Sequence, residues 1–320
     1  MEILESLSVS VEAVAPFLIY LGLGYFAVRA RLTDRDFMQR LNQFVFKLIF
    51  PFMTFSSVYG AGADTVPSLG LLLFTGLGVL ILEGLLLLIV PLAVKEDRRR
   101  GVVIQGIFRS NFALYGIPMT EFVFKDTPGV SGIAGIVLLE VVSIFNITSV
   151  IILEYYNEES GGVDLRRLPL KLLKNPLLQG CVVGLIFFAF GWHLPAALEK
   201  PVKTLGSVAT PVAMITLGGT LSFDALRKNR RIIGGVLGVR LLLLPLVTVP
   251  LAWLLGLRGP ELFLILMVFG TPIATSSYPM AANMGGDGEL AGQLVFTSTV
   301  VSLVTIFGFI FAMSQLGLIG

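Results

Sequence analysis

Asn111-Phe112-Ala113-Leu114-Tyr115-Gly116-Ile117-Pro118 and, half a chain later, Gly270-Thr271-Pro272 through Tyr278-Pro279 to Asn283 set proline into two otherwise apolar segments. Pro118 and Pro279 stand 161 positions apart in a chain of 320 residues. Proline inside a helix removes a backbone N–H and clashes with the carbonyl of the preceding turn. In lipid the freed carbonyls have no water to turn to, so such a break persists only where protein buries it or where it lines a wet cavity. Two breaks at corresponding places in two halves of a chain point to the central site of a transporter.

Composition agrees with a lipid environment. The chain is 55% hydrophobic and 14% charged, with a mean hydropathy of +0.88. Soluble domains average about 25% charged residues, so the chain reads as an integral membrane protein. Cys181 is the lone cysteine and lies in an apolar run; it reads as a small buried hydrophobe without redox chemistry. Glu2, Glu5 and Glu12 precede any Lys or Arg. That is the wrong sign for a cleaved signal peptide, and the first apolar stretch is expected to be a retained span.

A spanning helix needs about 20 mostly apolar residues. Ten stretches qualify: 11–29, 37–58, 66–94, 101–125, 130–154, 175–192, 202–223, 232–256, 260–284 and 289–316. The third is long enough to tilt or to bend near Glu83 or Gly84, and the fourth and ninth carry the breaks. Orientation follows from Lys and Arg. Sixteen lie in the loops after spans 1, 3, 5 and 7, from Arg29 to Arg231, against Lys125, Lys200, Lys203 and Arg258 on the other side. The loops after odd-numbered spans are therefore expected in the cytoplasm, with both termini outside a cell (plasma or inner) membrane. Pro51 and Pro211, in spans 2 and 7, are 160 apart, close to the offset of the broken pair. Five spans is an odd number, so a second set enters the membrane from the opposite side. The expected fold class is an all-α integral membrane protein of ten transmembrane helices in a five-plus-five inverted repeat. Residues 1–155 form the first repeat, 156–174 a cytoplasmic linker and 175–320 the second repeat.

Each break starts a half-helix whose first amides lack intrahelical partners and carry partial positive charge, which suits a carboxylate. The half-helix that ends there exposes carbonyls, which suit a cation. Asn111 offers two donors and an acceptor, with Tyr115 and Gly116 between it and Pro118. On span 9, Thr271, Thr275, Ser276, Ser277 and Asn283 crowd the interval around Pro272 and Pro279, and their oxygens with free carbonyls suit Na⁺; singly, each Ser or Thr also reads as satisfying freed backbone. Asn146, near the middle of span 5, is placed to face the breaks. Glu83 and Glu140 are carboxylates well inside spans, where acids are rare; each is a candidate for proton coupling or for a structural hydrogen bond. Arg109 and Arg240 lie toward the cytoplasmic ends of their spans; they could attract an anionic solute, but read first as snorkelling to the headgroups, with Lys47 ambiguous in the same way. His193 is the only histidine and reads as an interfacial loop residue. The run Lys95 to Arg100 reads as a topology anchor that can touch anionic lipid.

Asn111 through Pro118 resembles the Asn-x-x-x-x-Gly-x-Pro signature of the auxin efflux carrier family. Gly24-Tyr25, Arg31-Leu32-Thr33, Leu48 to Pro51, Lys174-Asn175-Pro176-Leu177, Thr210-Pro211 with Leu217-Gly218-Gly219, and Pro279 through Asp287 resemble it as well, in order and over nearly the whole chain. The resemblance implies a fold related to the bile acid–sodium symporters, with helices 4 and 9 broken and crossing at Pro118 and Pro279, leaving Pro272 as an additional bend. It implies a core transport bundle (spans 3–5 and 8–10) that moves in an elevator-like alternation against a scaffold bundle (spans 1–2 and 6–7). Plant members export the carboxylate indole-3-acetate, and bacterial members are associated with malate, malonate and other organic acids. Asn111 would be the substrate-facing Asn of span 4, and Asn146 the polar span 5 position near substrate. The long cytoplasmic loop of the longer plant carriers is absent, which fits a bacterial-type member.

The expected function is secondary transport of a small organic anion, an auxin-like aromatic acid or a dicarboxylate, without cofactor or metal. Coupling to H⁺, coupling to Na⁺ and uniport remain open. A sodium-coupled bile-acid-type symporter is the alternative, with a channel or receptor behind it. One loop histidine and one apolar cysteine leave no enzyme constellation such as His-Glu-x-x-His. The expected partners are the small organic acid, membrane lipid and a second copy through scaffold helices, with no nucleic acid.

Overall fold

A computed structural model describes residues 16, 18–59, 67–124, 127–157, 174–221 and 223–319. Most of the expected linker 156–174 and the acidic N-terminus lie outside these residues. In the first half, the helices are α1 (Leu18–Arg29), α2 (Arg35–Phe44), α3 (Phe50–Tyr59), α4 (Leu69–Ala93), α5 (Asp97–Phe108), α6 (Phe112–Val123) and α7 (Val130–Tyr155). The second half holds α8 (Pro176–Ala189), α9 (Ala196–Thr220), α10 (Phe223–Lys228), α11 (Arg230–Gly238), α12 (Leu244–Leu254), α13 (Gly259–Gly270), α14 (Ser277–Asn283) and α15 (Gly288–Gln315). Among the described residues no strand forms, and the sole β-type contact is the isolated bridge Ser110–Ile273.

Local chemistry sets the boundaries. Asp34, Ser68, Asn175 and Asp287 cap α2, α4, α8 and α15 by accepting from first-turn amides, as short polar side chains do at helix starts. Single π turns, Val45–Ile49 and Val239–Leu243, join α2 to α3 and α11 to α12. Each directly precedes a proline, Pro51 or Pro245, whose ring presses on the carbonyl four residues back. The chain widens instead: Phe50 N–H bonds Val45 O, and Leu244 N–H bonds Val239 O.

Among the described residues, four stretches are long and apolar enough to cross a membrane: Leu69–Ala93, Gly132–Tyr155, Arg230–Leu254 and Gly288–Gln315. The third expected span is continuous helix past Glu83 and Gly84. Its outer face is bare leucine and isoleucine, with Leu88 and Leu92 largely exposed. Such a face requires lipid as solvent, and the protein is an integral membrane protein.

Two kinds of contact hold helices together. The first is close backbone approach at glycine. A Cβ on Gly24 of α1 would run into the Ile215 carbonyl of α9, and one on Gly184 of α8 would sit 3.0 Å from the Phe55 carbonyl of α3. Gly24 to Gly184 and Phe55 to Ile215 are both steps of 160 residues. Gly180 and Gly218 likewise face the backbone carbonyls of Pro51 and Leu21. The second is a pair of carboxylate–hydroxyl bonds between α4 and α7. Thr75 Oγ1 donates to Glu140 at 2.6 Å, and Thr148 Oγ1 donates to Glu83 at 2.6 Å. Both pairs are 65 residues apart, which is the register of two helices running in the same direction.

Filling a glycine contact forces backbone apart, whereas filling open space does not. Gly24→Ala and Gly180→Ala are each expected to lower stability by about 1–3 kcal/mol, read as a fall in the unfolding temperature of the purified protein. Gly84→Ala, where a Cβ meets nothing within 4 Å, is expected to be neutral or slightly stabilising. Equal effects at all three positions would contradict the glycine-mediated packing.

Candidate functional site

The fourth and ninth expected spans are both interrupted, and the interruptions lie against each other. Helix α5 ends at Phe108 and α6 begins at Phe112; α13 ends at Gly270 and α14 begins at Ser277. Asn111 N–H donates to Pro272 O at 2.8 Å, and Ala274 N–H donates to Arg109 O at 3.2 Å. Asn111 and Pro272 are themselves 161 residues apart, the offset of the two proline segments.

The breaks do not fall on Pro118 and Pro279, as expected; both residues lie within helices, α6 and α14. Pro279 is the third residue of α14, where the amide would have no intrahelical partner in any case. Pro118 removes one rung inside α6 without ending it. Pro272, expected as an additional bend, is the interruption of span 9 itself. With no N–H it leaves the Val268 carbonyl without its helical donor. Across the break, Asn111 gives its amide to Pro272 and so leaves the Ile107 carbonyl without one.

Two buried guanidinium groups occupy this junction, and neither snorkels. Arg240, on the π turn before α12, is 0% exposed. Its Nε donates to Thr271 O at 2.9 Å and its Nη2 to Val268 O at 2.8 Å. Its Nη1 reaches Ile107 O at 3.1 Å and Phe108 O at 3.2 Å. One side chain thus caps the C-terminal ends of both α5 and α13. Arg109, 4% exposed, lies in the first break. Its Nη2 donates to Asn146 Oδ1 at 2.7 Å and to Ser276 Oγ at 2.9 Å, and its Nη1 to Met280 Sδ. Lys47, by contrast, is exposed on the π turn after α2.

The expected site residues divide between this junction and its surroundings. Asn111 is 5% exposed and its side-chain amide nitrogen has no hydrogen-bond partner; that of Asn146, 1% exposed, has none either. Asn111 leaves α6 without a side-chain cap, so the first amides of that helix keep their donor capacity. The hydroxyls of Ser110 and Ser277 are also buried and unpartnered. Tyr115 is buried in α6, and a Cβ on Gly116 would strike the Phe112 ring. Thr271 spends its hydroxyl on Met267 O at 2.7 Å, within its own helix; Thr275 is buried in the second break. Ser276 is the Arg109 acceptor already described. Glu83 and Glu140 bond Thr148 and Thr75 on the α4–α7 seam, away from the break's own hydrogen bonds. Asn283 caps backward onto Pro279 O at 2.7 Å.

Asn283 also lines a cavity of about 430 Å³ between two groups of helices. One wall is Arg35, Gln39, Asn42 and Gln43 of α2 with Leu217 and Thr220 of α9; the other is Tyr278, Ala282 and Asn283 of α14 with Gln293 of α15. Tyr278 stands next to Ser277 of the second break, and its hydroxyl is 3.1 Å from Thr220 Oγ1 across the cavity wall. At the mouth, Arg99 bridges Asp287 at 3.0 Å and the Asp287 amide donates to Arg98 O at 2.9 Å, tying the loop before α15 to α5.

Sequence reasoning weighed both arginines as anion-attracting groups and ranked snorkelling above that role, whereas both are buried. Proximity of Arg109 to Asn111 was visible; the 240 position gave no sign, since its acceptors lie up to 133 residues away.

Comparisons with known proteins point to membrane transport. The model of the family described as "Membrane transport protein" matches residues 9–310. An "Uncharacterized transporter" of Methanothermobacter thermautotrophicus is 26% identical over 93% of this chain and 96% of its own length. A Rhizobium meliloti protein named "Putative malonate transporter" is 22% identical over 93% of this chain and 94% of its own. A "Probable auxin efflux carrier component 5c" of Oryza sativa subsp. japonica is 26% identical over 43% of this chain and 39% of its own. An apolar helical chain with two interrupted helices joined at buried polar groups, matched from residue 9 to 310, is a transporter and not an enzyme: it belongs to the membrane transport protein family that includes auxin efflux carriers.

Proposed function

We propose that the protein is a secondary carrier for a small organic anion, whose carboxylate binds at the junction beside Arg109, Asn111 and Asn146. One observation carries this reading. Arg109 is a buried cation whose side-chain hydrogen bonds, among the described residues, all go to neutral acceptors, and unpartnered amide donors of Asn111 and Asn146 accompany it. A carboxylate supplies the missing charge and accepts from these donors and from the first amides of α6. The name of the Rhizobium meliloti relative favours a small dicarboxylate such as malonate as the first substrate to try.

Elevator-like alternating access fits the placement of the cavity. On this reading α1–α3, α8 and α9 form the scaffold, which glycine contacts lock backbone to backbone. The remaining long helices form the moving bundle, and the cavity is the cytoplasmic route between them, floored by Tyr278. The shared 160-residue offset of the Gly24 and Gly184 contacts supports the inverted five-plus-five repeat. The bridge at Asn111 and Pro272 supports a crossing of the two interrupted spans.

Removing the cation is expected to cost more than removing one neutral donor. Asn111→Ala should weaken malonate binding about tenfold, the worth of about 1.4 kcal/mol for one hydrogen bond. Arg109→Gln should weaken it about 100-fold or more, as for a desolvated charge pair. Calorimetric titration of the purified variants reads both. Unchanged affinity in the two variants would remove the site from this junction.

Glu83 and Glu140 are assigned to the α4–α7 seam and not to proton coupling, because each is held by a threonine hydroxyl there. In proteoliposomes, Glu83→Gln and Glu140→Gln are expected to respond to an imposed pH gradient as the unaltered protein does. A response lost in either variant would assign proton coupling to that residue.

A further inference from the structure

The expectation that free carbonyls at the break hold Na⁺ meets a different occupant. We propose that Arg240 is a tethered cation, filling the carbonyl site where the two helix ends meet, so that no free Na⁺ binds there. The four acceptors are Ile107, Phe108, Val268 and Thr271 carbonyls. They are the groups that broken helices leave over: Val268 lacks its donor because residue 272 is proline, and Ile107 because Asn111 bonds across the break. They also carry the partial negative charge of two helix C-termini at once. Backbone carbonyls converging in this way are the ligand set of a hard cation. Here the positive charge is covalent. A guanidinium is always charged and offers five donors in a fixed fork, and Arg240 spends donors on all four oxygens.

The residue is placed for this by its own backbone. It sits on the π turn Val239–Leu243, which exists because Pro245 follows, and π turns recur at functional positions. The equivalent position 161 residues earlier is Val79, buried and apolar. The repeat itself therefore does not call for an arginine; one half supplies the cation for both helix ends. Arg240 is a positioning residue, acting on the anion site through the two half-helices it joins. The consequence for transport rests on the reading above of the junction as the substrate site; the consequence for cation binding does not.

The test separates the two. Thermal unfolding of the purified protein in choline chloride is compared with equal concentrations of NaCl, KCl and guanidinium chloride, in the low millimolar range. The unaltered protein is expected to show no stabilisation specific to Na⁺. Arg240→Ala should unfold about 5 °C lower or more and recover part of that loss, saturably, with guanidinium. Arg240→Lys, which keeps the charge and loses the fork, should fall between the two. A saturable, Na⁺-specific stabilisation of the unaltered protein would overturn the proposal, and so would an Arg240→Ala protein as stable as its parent. The first of these needs no variant, so a misfolded Arg240→Ala leaves the proposal decidable. In proteoliposomes, malonate uptake should be the same in NaCl and choline chloride. Uptake that requires Na⁺ would overturn the tethered-cation role, whereas no malonate uptake in any salt would count against the substrate and leave the unfolding result to judge Arg240.

Discussion

Everything at the centre of this protein follows from backbone carbonyls that cannot reach water. An interrupted helix in a membrane strands polar groups at both of its new ends, and each one left bare costs several kcal/mol. Two interruptions double that cost. Placing them against each other, with Asn111 and Ala274 amides exchanged across the gap, satisfies part of it, and the guanidinium of Arg240 satisfies four more carbonyls. Neither broken helix has this solution alone. The junction is therefore an obligatory meeting of residues from three distant parts of the sequence.

The helix ends at the junction are chemically unequal, and that inequality separates structure from binding. Arg240 takes two carbonyls at each C-terminal end, Ile107 and Phe108 of α5 and Val268 and Thr271 at the end of α13. The N-terminal end of α6 is not so engaged: Asn111 does not cap it, and its own amide donor is unpartnered. A second buried cation, Arg109, stands at this end. Its bonds run to Asn146 on α7 and to Ser276 and Met280 around the start of α14, so two elements are drawn toward one positive charge. Donors are in surplus on that side, and this surplus is what the proposed anion site rests on.

The coarse organisation was legible in the sequence because lipid enforces it over many residues. Runs of apolar residues, basic loops and the repeated proline offset survive errors at any one position, and the four long apolar helices, Leu69–Ala93, Gly132–Tyr155, Arg230–Leu254 and Gly288–Gln315, fall on expected spans. The breaks were legible as events and misplaced by several residues. A proline announces a missing N–H, but whether that ends a helix depends on where the helix starts. Pro279 sits in a first turn that needs no amide there, and Pro272 sits where α13 would otherwise continue. Asn111 and Asn146 stood out because an amide is conspicuous in an apolar span, and both are buried. The arginines were misjudged because their depth could only be counted from span ends, and a long side chain reaches headgroups from positions like theirs. Burial of Arg240 depends on four carbonyl oxygens contributed by α5 and by the end of α13, and no local pattern encodes that.

Symmetry and its violation divide the labour further. The glycine contacts at Gly24 and Gly184 repeat at one offset, as do Asn111 and Pro272 at nearly the same one. Packing that repeats in this way fixes the frame. The groups bearing charge at the junction do not repeat: Arg240 answers to Val79, and Arg109 answers to Gly270. A two-fold arrangement of four equivalent helix ends would bind a ligand without regard to its orientation. Arginines drawn from one position in each half, and not from matching positions, give the junction a cation-filled side and a donor-rich side. On the reading of the junction as an anion site, that polarity would let a backbone defect shared by both halves present a single oriented site.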